Sequence, residues 1–183
     1  TLVKGVTLGK NVSSPFPLHS LIDNPEIQKI SSESYCKTKF SDKHSLPILS
    51  QYRGHDKIRI GYFSPDFKNH PVAHLIAGLF EHHDRSNFEI HAFSFDVGST
   101  DEFTDRIKSG VDYFHHIQTL SDKQITLLSR SLEIDIAVDL VGFTAGCRPN
   151  IFAMKAAPIQ VGYLGFLGTM GADYYDYIVA DTT

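Results

Sequence analysis

The run 134–141 (IDIAVDLV) constrains the fold more than any other part of this 183-residue sequence. Its residues are nearly all apolar, as in a strand that is buried on both faces. Such strands are typical of parallel sheets, whose crossover connections place helices against the sheet. The run therefore predicts an α/β domain built on a parallel sheet.

The neighbouring segments extend this pattern from Lys57 onward, where short apolar runs alternate with helical spacing. The alternation predicts a Rossmann-like open parallel sheet with helices on both faces. Further strands are predicted at residues 57–63, 88–95, 111–117, 159–166 and 177–180. Helix starts are predicted at Pro71, at Ser99 with Glu102 as a capping box, at Ser121 with Gln124 as a second capping box, and at Pro149.

Residues 1–55 differ from the rest because they are rich in Ser and Pro. Pro15 and Pro17 favour extended or turn backbone. One helix is predicted over 25–40, with Asn24 as its N-cap. We therefore expect a helical or extended linker arm over 1–55 and a Rossmann-like domain over 56–183. The chain lacks an initial Met and ends just after a predicted strand, so we expect it to be a piece of a longer polypeptide.

Charge and cysteine content argue against several function classes. Seventeen basic and 21 acidic residues give a net charge of −4, which disfavours a dedicated nucleic-acid binder. Cys36 and Cys147 form neither a disulfide framework nor a CxxC metal site. Adjacent histidines, at 82–83 and 115–116, do not share a face, so we expect no metal site. The sequence has no signal-peptide pattern and no apolar run near 18 residues, so we expect a cytoplasmic protein without membrane contact.

Three loops follow predicted strands and should meet at one edge of the sheet. They are the first loop (residues 64–70, SPDFKNH), the second loop (residues 142–148, GFTAGCR) and the third loop (residues 165–171, GFLGTMG). In open α/β sheets, ligands bind beyond the carboxyl ends of the strands. We therefore expect the functional site at these loops.

The first loop carries the residue types best suited to chemistry. It leads into a helix whose predicted apolar stripe is Val72, Leu75, Ile76, Leu79 and Phe80. His70 and His74 then fall on the opposite face, with Asp66 and Asn69 just before them. Such groups at a helix start suit holding a sugar phosphate or transferring a proton. Alternatively, Asp66 and Asn69 only shape the turn and cap the helix, and both histidines are solvated.

Loop composition gives weaker signals elsewhere. The third loop has three glycines but matches neither GxGxxG nor a P-loop, so it predicts either close backbone approach to a ligand or an ordinary tight turn. In the second loop, Arg148 is a candidate to pair with an anion or is simply solvated. A domain using NAD is disfavoured because no glycine fingerprint follows the first strand.

Long stretches of this sequence resemble a known family. Residues 57–75 (KIRIGYFSPDFKNHPVAHL) and 139–181, above all the block APIQVGYLGFLGTMG, are similar to the catalytic region of the O-linked N-acetylglucosamine transferase and SPINDLY-like family. Residues 12–21 (VSSPFPLHSL) resemble the segment that joins the family's helical repeats to that region. The resemblance implies the N-terminal Rossmann-like lobe of a two-lobed GT-B-type glycosyltransferase, with residues 1–55 leading in from upstream tetratricopeptide repeats.

The resemblance also implies an activity. Members transfer N-acetylglucosamine from UDP-N-acetylglucosamine to Ser or Thr of proteins, with inversion and without a metal or other cofactor. The expected partners are thus a nucleotide-sugar donor and a protein acceptor, with neither nucleic acid nor membrane. The second lobe would follow residue 183, so this lobe alone should be inactive. The alternatives are a protein O-fucosyltransferase that uses GDP-fucose and a non-catalytic binding lobe.

Matching positions within the family's motifs gives the expected site. His70 and Asp66 are the implied catalytic residues. The implied substrate-binding residues are Asn69, Pro71, His74, Thr144, Leu164, Gly165, Leu167, Gly168 and Thr169. Departures from the family pattern are Leu167 in place of Pro, Met170 in place of Ser and Val72 in place of Thr. A histidine of the animal enzymes' arm aligns with Leu18, beside His19.

Overall fold

The predicted sheet is present in the computed structural model of the chain, which describes residues 1–40, 46–96, 98 and 100–182. Its strands are β1 (Ile58–Ser64), β2 (Phe88–Ser94), β3 (Tyr113–His116), β4 (Ile136–Asp139), β5 (Ile159–Tyr163) and β6 (Tyr177–Val179). They are all parallel, in the order β3-β2-β1-β4-β5-β6. Chain order reverses between β1 and β4, the position at which doubly wound sheets bind ligands.

Helices connect the strands as the alternating pattern predicts. They are α1 (Leu2–Thr7), α2 (Pro15–Leu21), α3 (Pro25–Lys39), α4 (Pro71–His82), α5 (Glu102–Gly110), α6 (Asp122–Ser131) and α7 (Asn150–Ala153). The capping box of Ser121 and Gln124 is confirmed at α6. The proposed partner Ser99 lies outside the described residues, and Asp101 is the N-cap of α5. Within the described ranges, no helix is long and apolar enough to cross a membrane.

Helices cover both faces of the sheet. On one face α4 and α5 pack against β1 and β2, with Ile76, Phe80 and Ile107 fully buried. On the other face α6 and α7 pack against Phe63 and Phe93. The Rossmann-like architecture predicted from the sequence is thus confirmed.

The predicted apolar stripe of α4 is wrong at two positions. Leu75 is 67% exposed and Leu79 is 37% exposed. The face that packs on the sheet consists of Val72, Ala73, Ile76, Ala77 and Phe80. Alanines bring the helix close to the sheet, and they are easily overlooked in a search for large apolar residues.

The arm contains more helix than predicted, because residues 1–40 contain three helices. Only α3 was expected, and its N-cap Asn24 accepts a hydrogen bond from the Ile27 amide as predicted. Pro15 is the first residue of α2 and Pro17 lies in its first turn. N–H groups there have no intrahelical partner, so proline loses nothing and its φ favours the helix.

A ladder of rings crosses the sheet face at β2 and β3. His91 lies parallel to Tyr113 and to His115, with centroid distances of 4.7 Å and 5.3 Å, and His115 lies 4.6 Å from Phe93. The two imidazoles share a hydrogen bond of 3.0 Å. Burial, together with the nearby His91, lowers the pKa of His115 from 6.5 to about 4.

This pair predicts a pH dependence of stability. The unfolded chain binds a proton near pH 6.5, whereas folded His115 resists it until about pH 4. The contribution of His115 is therefore fully present above pH 6.5 and is lost as the pH falls towards 4. Wild type should lose unfolding free energy when the pH is lowered from 7 to 5. We expect the His115→Phe variant to lose about 1 kcal/mol less over the same range, allowing for solvent screening. Denaturant titrations at both pH values, with His82→Gln as control, measure it; equal pH slopes in His115→Phe and wild type would contradict it.

Candidate functional site

The three loops at the carboxyl edge of the sheet are in contact with one another. They follow β1, β4 and β5, which are neighbouring parallel strands. A Cβ added at Gly146 of the second loop would lie 3.4 Å from Pro65 of the first loop. Phe143 of the second loop packs against Phe166 of the third at 5.3 Å between ring centroids. The loops therefore form one continuous surface, as predicted.

The first loop is anchored from beneath by Phe67. This ring is 1% exposed and packs edge-on to Phe80 and Phe114. Its carbonyl accepts a hydrogen bond of 3.0 Å from the Thr104 hydroxyl of α5. Fixing Phe67 fixes the polar residues on either side of it.

His70 is the N-cap of α4, so it does not lie on the helix face where we expected it. Its Nδ1 accepts a hydrogen bond of 3.3 Å from the Val72 amide. Since Nδ1 accepts, the neutral ring carries its proton on Nε2. The side chain is 40% exposed. The cap therefore holds the ring in place while its Nε2–H is available to donate.

Asp66 lies beside this ring. One carboxylate oxygen is 3.7 Å from His70 Nδ1, within ion-pair range but too long for a hydrogen bond. The Asp66 side chain is 15% exposed, and burial raises the pKa of its carboxyl, opposed by the charges of His70 and Lys68. A carboxyl with a raised pKa is a better proton acceptor near neutral pH. The first loop thus juxtaposes a hydrogen-bond donor and a proton acceptor.

Asn69 and His74 pair with each other at the start of α4. The Asn69 side-chain oxygen lies 2.9 Å from His74 Nε2, and the His74 ring packs 3.9 Å from Phe103. The backbone amide of Asn69 donates a hydrogen bond of 2.7 Å to the Asp101 carboxylate. Sequence analysis did not identify Asp101 as the N-cap of α5. The available signal was an Asp three residues before Thr104, whose backbone amide it caps. Both Asn69 and His74 therefore have structural roles, and both remain exposed enough to contact a ligand.

The start of α4 has fewer free backbone N–H groups for binding a phosphate than the sequence suggested. Pro71 has no N–H, the Val72 amide is bound by His70, and the His74 amide donates to the His70 carbonyl. Pro71 itself is exposed beside the His70 ring. The positive end of the helix dipole remains, but its N–H groups are largely taken.

The second loop is held by internal hydrogen bonds. The Thr144 hydroxyl donates to the Val141 carbonyl at 2.8 Å. Asp139, fully buried, accepts from the Val141 amide at 2.9 Å and from the Tyr175 hydroxyl at 2.5 Å. Burial raises the pKa of this carboxyl, although these bonds oppose the rise. Thr144 thus shapes the loop, with only its oxygen lone pairs left for a ligand.

Two basic side chains near this edge are already neutralised. Arg148 bonds Asp122 at 2.6 Å and the Leu120 carbonyl at 2.6 Å, so it is not placed as the predicted anion partner. Lys68 contacts Asp96 at 2.6 Å. Among the residues that the structure describes, no group of three or more His, Cys, Asp or Glu side chains is placed to hold a metal ion.

The turn into the third loop has two consecutive residues in the left-handed region. Leu164 has φ 56° and Gly165 has φ 60°. Leu164 is strained there, because a branched side chain rarely adopts positive φ outside constrained sites. Beyond this turn, Leu167 and Thr169 are exposed, while Gly168 between them is buried. The loop therefore presents alternate side chains outward from the edge of the sheet.

Comparison with known proteins shows which family the chain is similar to. The model for glycosyl transferase family 41 matches residues 26–183. The chain is 39% identical over 142 residues, 78% of its length, to a probable UDP-N-acetylglucosamine–peptide N-acetylglucosaminyltransferase, SEC, of Arabidopsis thaliana, and covers 14% of that protein. It is 35% identical over 131 residues, 68% of its length, to the UDP-N-acetylglucosamine–peptide N-acetylglucosaminyltransferase of Caenorhabditis elegans, and covers 11% of it.

A solved structure shows the same fold. A mutant of the Thermobaculum terrenum O-GlcNAc transferase superimposes with a TM-score of 0.79 at 30% identity, covering 87% of this chain and 31% of that one. The chain thus spans a small part of each relative. From the family match over most of its length and this superposition, the chain belongs to glycosyl transferase family 41.

Proposed function

We propose that the chain is one lobe of a two-lobed protein O-glycosyltransferase that transfers N-acetylglucosamine from UDP-N-acetylglucosamine to Ser or Thr hydroxyls. The observation that carries the proposal is the juxtaposition of Asp66 and capped His70 at the carboxyl edge, beside the glycine-rich third loop. The names of the relatives, which include UDP-N-acetylglucosamine–peptide transferases, support the donor and the acceptor class.

In the proposed reaction the acceptor hydroxyl oxygen attacks the anomeric carbon of the sugar. The bond from that carbon to the diphosphate breaks, the configuration inverts, and the hydroxyl proton is released. His70 Nε2–H donates a hydrogen bond near the sugar and acceptor oxygens. The Val72 amide orients the ring, and Asp66 supplies a carboxylate with a raised pKa next to it.

The leaving diphosphate needs positive charge, and two basic side chains at this edge are not free to supply it. Lys68 and Arg148, the two basic side chains described above at this edge, are each paired with a carboxylate. We propose that a second lobe provides the compensating charge and the nucleotide pocket. Stabilising charge as it develops is commonly a large part of catalysis, so the lobe alone should not transfer sugar.

A donor panel on the complete protein tests the proposal. UDP-N-acetylglucosamine and GDP-fucose are each incubated with the protein and several Ser- and Thr-containing acceptors, and the intact acceptor mass is read. A gain of one N-acetylhexosamine, unchanged by EDTA, is expected. A gain of one deoxyhexose would overturn the donor assignment in favour of a fucosyltransferase. No gain with either donor would overturn the enzymatic function and favour a binding lobe.

A further inference from the structure

The third loop divides its side chains between two directions. Phe166 and Gly168 are buried, whereas Leu167 is 89% exposed and Thr169 is also exposed. The buried residues lie against the helical arm, residues 1–40, whereas Leu167 and Thr169 are exposed to solvent. The position of Leu167 and Thr169 therefore depends on what holds their buried neighbours.

His19 of α2 is the side chain that contacts both buried residues. Its ring packs edge-on to Phe166, at 5.3 Å between centroids and 88° between planes. A Cβ added at Gly168 would overlap His19 Nε2 and would lie 2.6 Å from its Cδ2 and 2.8 Å from Phe166 Cζ. The imidazole lies so close to the Gly168 backbone that only glycine fits at this position.

A second contact from the arm lies two residues further along. The Cys36 thiol of α3 donates to the Met170 carbonyl at 3.3 Å. A Cβ at Gly171, where φ is +59°, would lie 2.6 Å from the Glu33 amide nitrogen and 2.9 Å from Ser32. Helix α3 therefore fixes the end of the loop, and His19 fixes its middle.

Packing, not hydrogen bonding, holds the His19 ring. Its Nε2 is buried and has no hydrogen-bond partner among the described residues. Its neighbour Leu18 is fully buried and anchors α2 in the core.

We propose that His19 is a positioning residue for the third loop: its ring sets the backbone path of residues 166–170 and thereby the placement of Leu167 and Thr169. The arm then forms part of the site and is more than a connection to it. The kinetic consequence rests on the proposed transferase function, whereas the conformational consequence does not. Loss of the ring should loosen the loop and weaken acceptor binding more than it slows the reacting step.

The conformational test is a double-mutant cycle of Gly168→Ala and His19→Ala in the complete protein. Gly168→Ala should lower the midpoint of thermal unfolding and speed hydrogen exchange over residues 164–171. The same substitution should have much less effect when His19→Ala has vacated the space, because contacting residues are non-additive. Gly162→Ala is the control, since a Cβ there meets nothing within 4 Å.

Additive effects in the cycle would overturn the proposal. Should His19→Ala not fold, Gly168→Ala against Gly162→Ala tests the same contact from the other side: equal exchange over residues 164–171 in these two variants would contradict it.

The kinetic test separates binding from chemistry. For His19→Ala we expect the acceptor KM to rise about tenfold with kcat within about threefold of wild type. Unchanged acceptor KM, with transfer intact in wild type, would overturn the positioning role. If wild type transfers no sugar from either donor, the proposed function fails, while the cycle and the exchange rates still decide the role of His19.

Discussion

Substituting His70 by asparagine in the complete protein is expected to lower the transfer rate about 100-fold or more, the usual scale for a group that assists proton movement or polarisation in the transition state. Asparagine is a good N-cap, so its side-chain oxygen should replace Nδ1 as the acceptor of the hydrogen bond from the Val72 amide. Its shorter side chain does not place a donor at the position of the His70 Nε2–H. Fold and function are thereby separated at one position.

His70→Ala is the companion variant. It should show the same loss of transfer and, in addition, a loss of about 1 kcal/mol in unfolding free energy from the missing cap. Rates are compared by intact acceptor mass, with His82→Ala as a control on the exposed end of α4. If His70→Asn transferred sugar at the wild-type rate, His70 would be only a cap.

Gly165→Ala is expected to destabilise the lobe by roughly 2–4 kcal/mol, because strain at positive φ adds to overpacking. The residue has φ +60°. Its Cβ would overlap the Leu140 carbonyl oxygen and lie 2.8 Å from the Leu140 carbonyl carbon and 3.0 Å from the Val141 Cα. These atoms are backbone at the end of β4, so they cannot move aside as a flexible side chain could.

Gly162→Ala, three residues earlier in β5, provides the matched comparison. Gly162 has ordinary φ and open space around its Cβ position, so we expect a change within about 0.5 kcal/mol. Thermal and denaturant unfolding of both variants measure the difference. Equal midpoints for Gly165→Ala and Gly162→Ala would show that the third loop relaxes more easily than its contacts indicate.

Local sequence patterns were enough to predict the sheet and most of its helices. Burial on both faces leaves an apolar run such as 134–141, and this pattern needs no knowledge of distant residues. The strand boundaries were less well predicted: β4 covers only Ile136–Asp139, although Leu140 and Val141 are also buried. The buried residues continue past the strand into the turn that Asp139 holds. Hydrophobicity alone therefore overestimates the length of the strand.

The errors came from contacts between residues distant in sequence. The packing of the arm on the domain was not predicted because its partners lie far along the chain: Cys36 contacts Tyr174, 138 residues later. Likewise, the pairing of Asn69 with Asp101 and of Arg148 with Asp122 depends on helices that meet only in the folded sheet. A sequence predicts which residue types line the edge more readily than it predicts which of them are already engaged.

The most direct test of a site at the carboxyl edge is hydrogen exchange of the complete protein with and without UDP-N-acetylglucosamine and an acceptor peptide. We expect protection at residues 64–74 and 165–171, where the first and third loops lie. The opposite edge of the sheet should be unchanged; there His55 lies 3.1 Å from Asp135, just before β4 begins. Protection confined to that opposite edge, or none in either loop while transfer proceeds, would contradict this placement of the site.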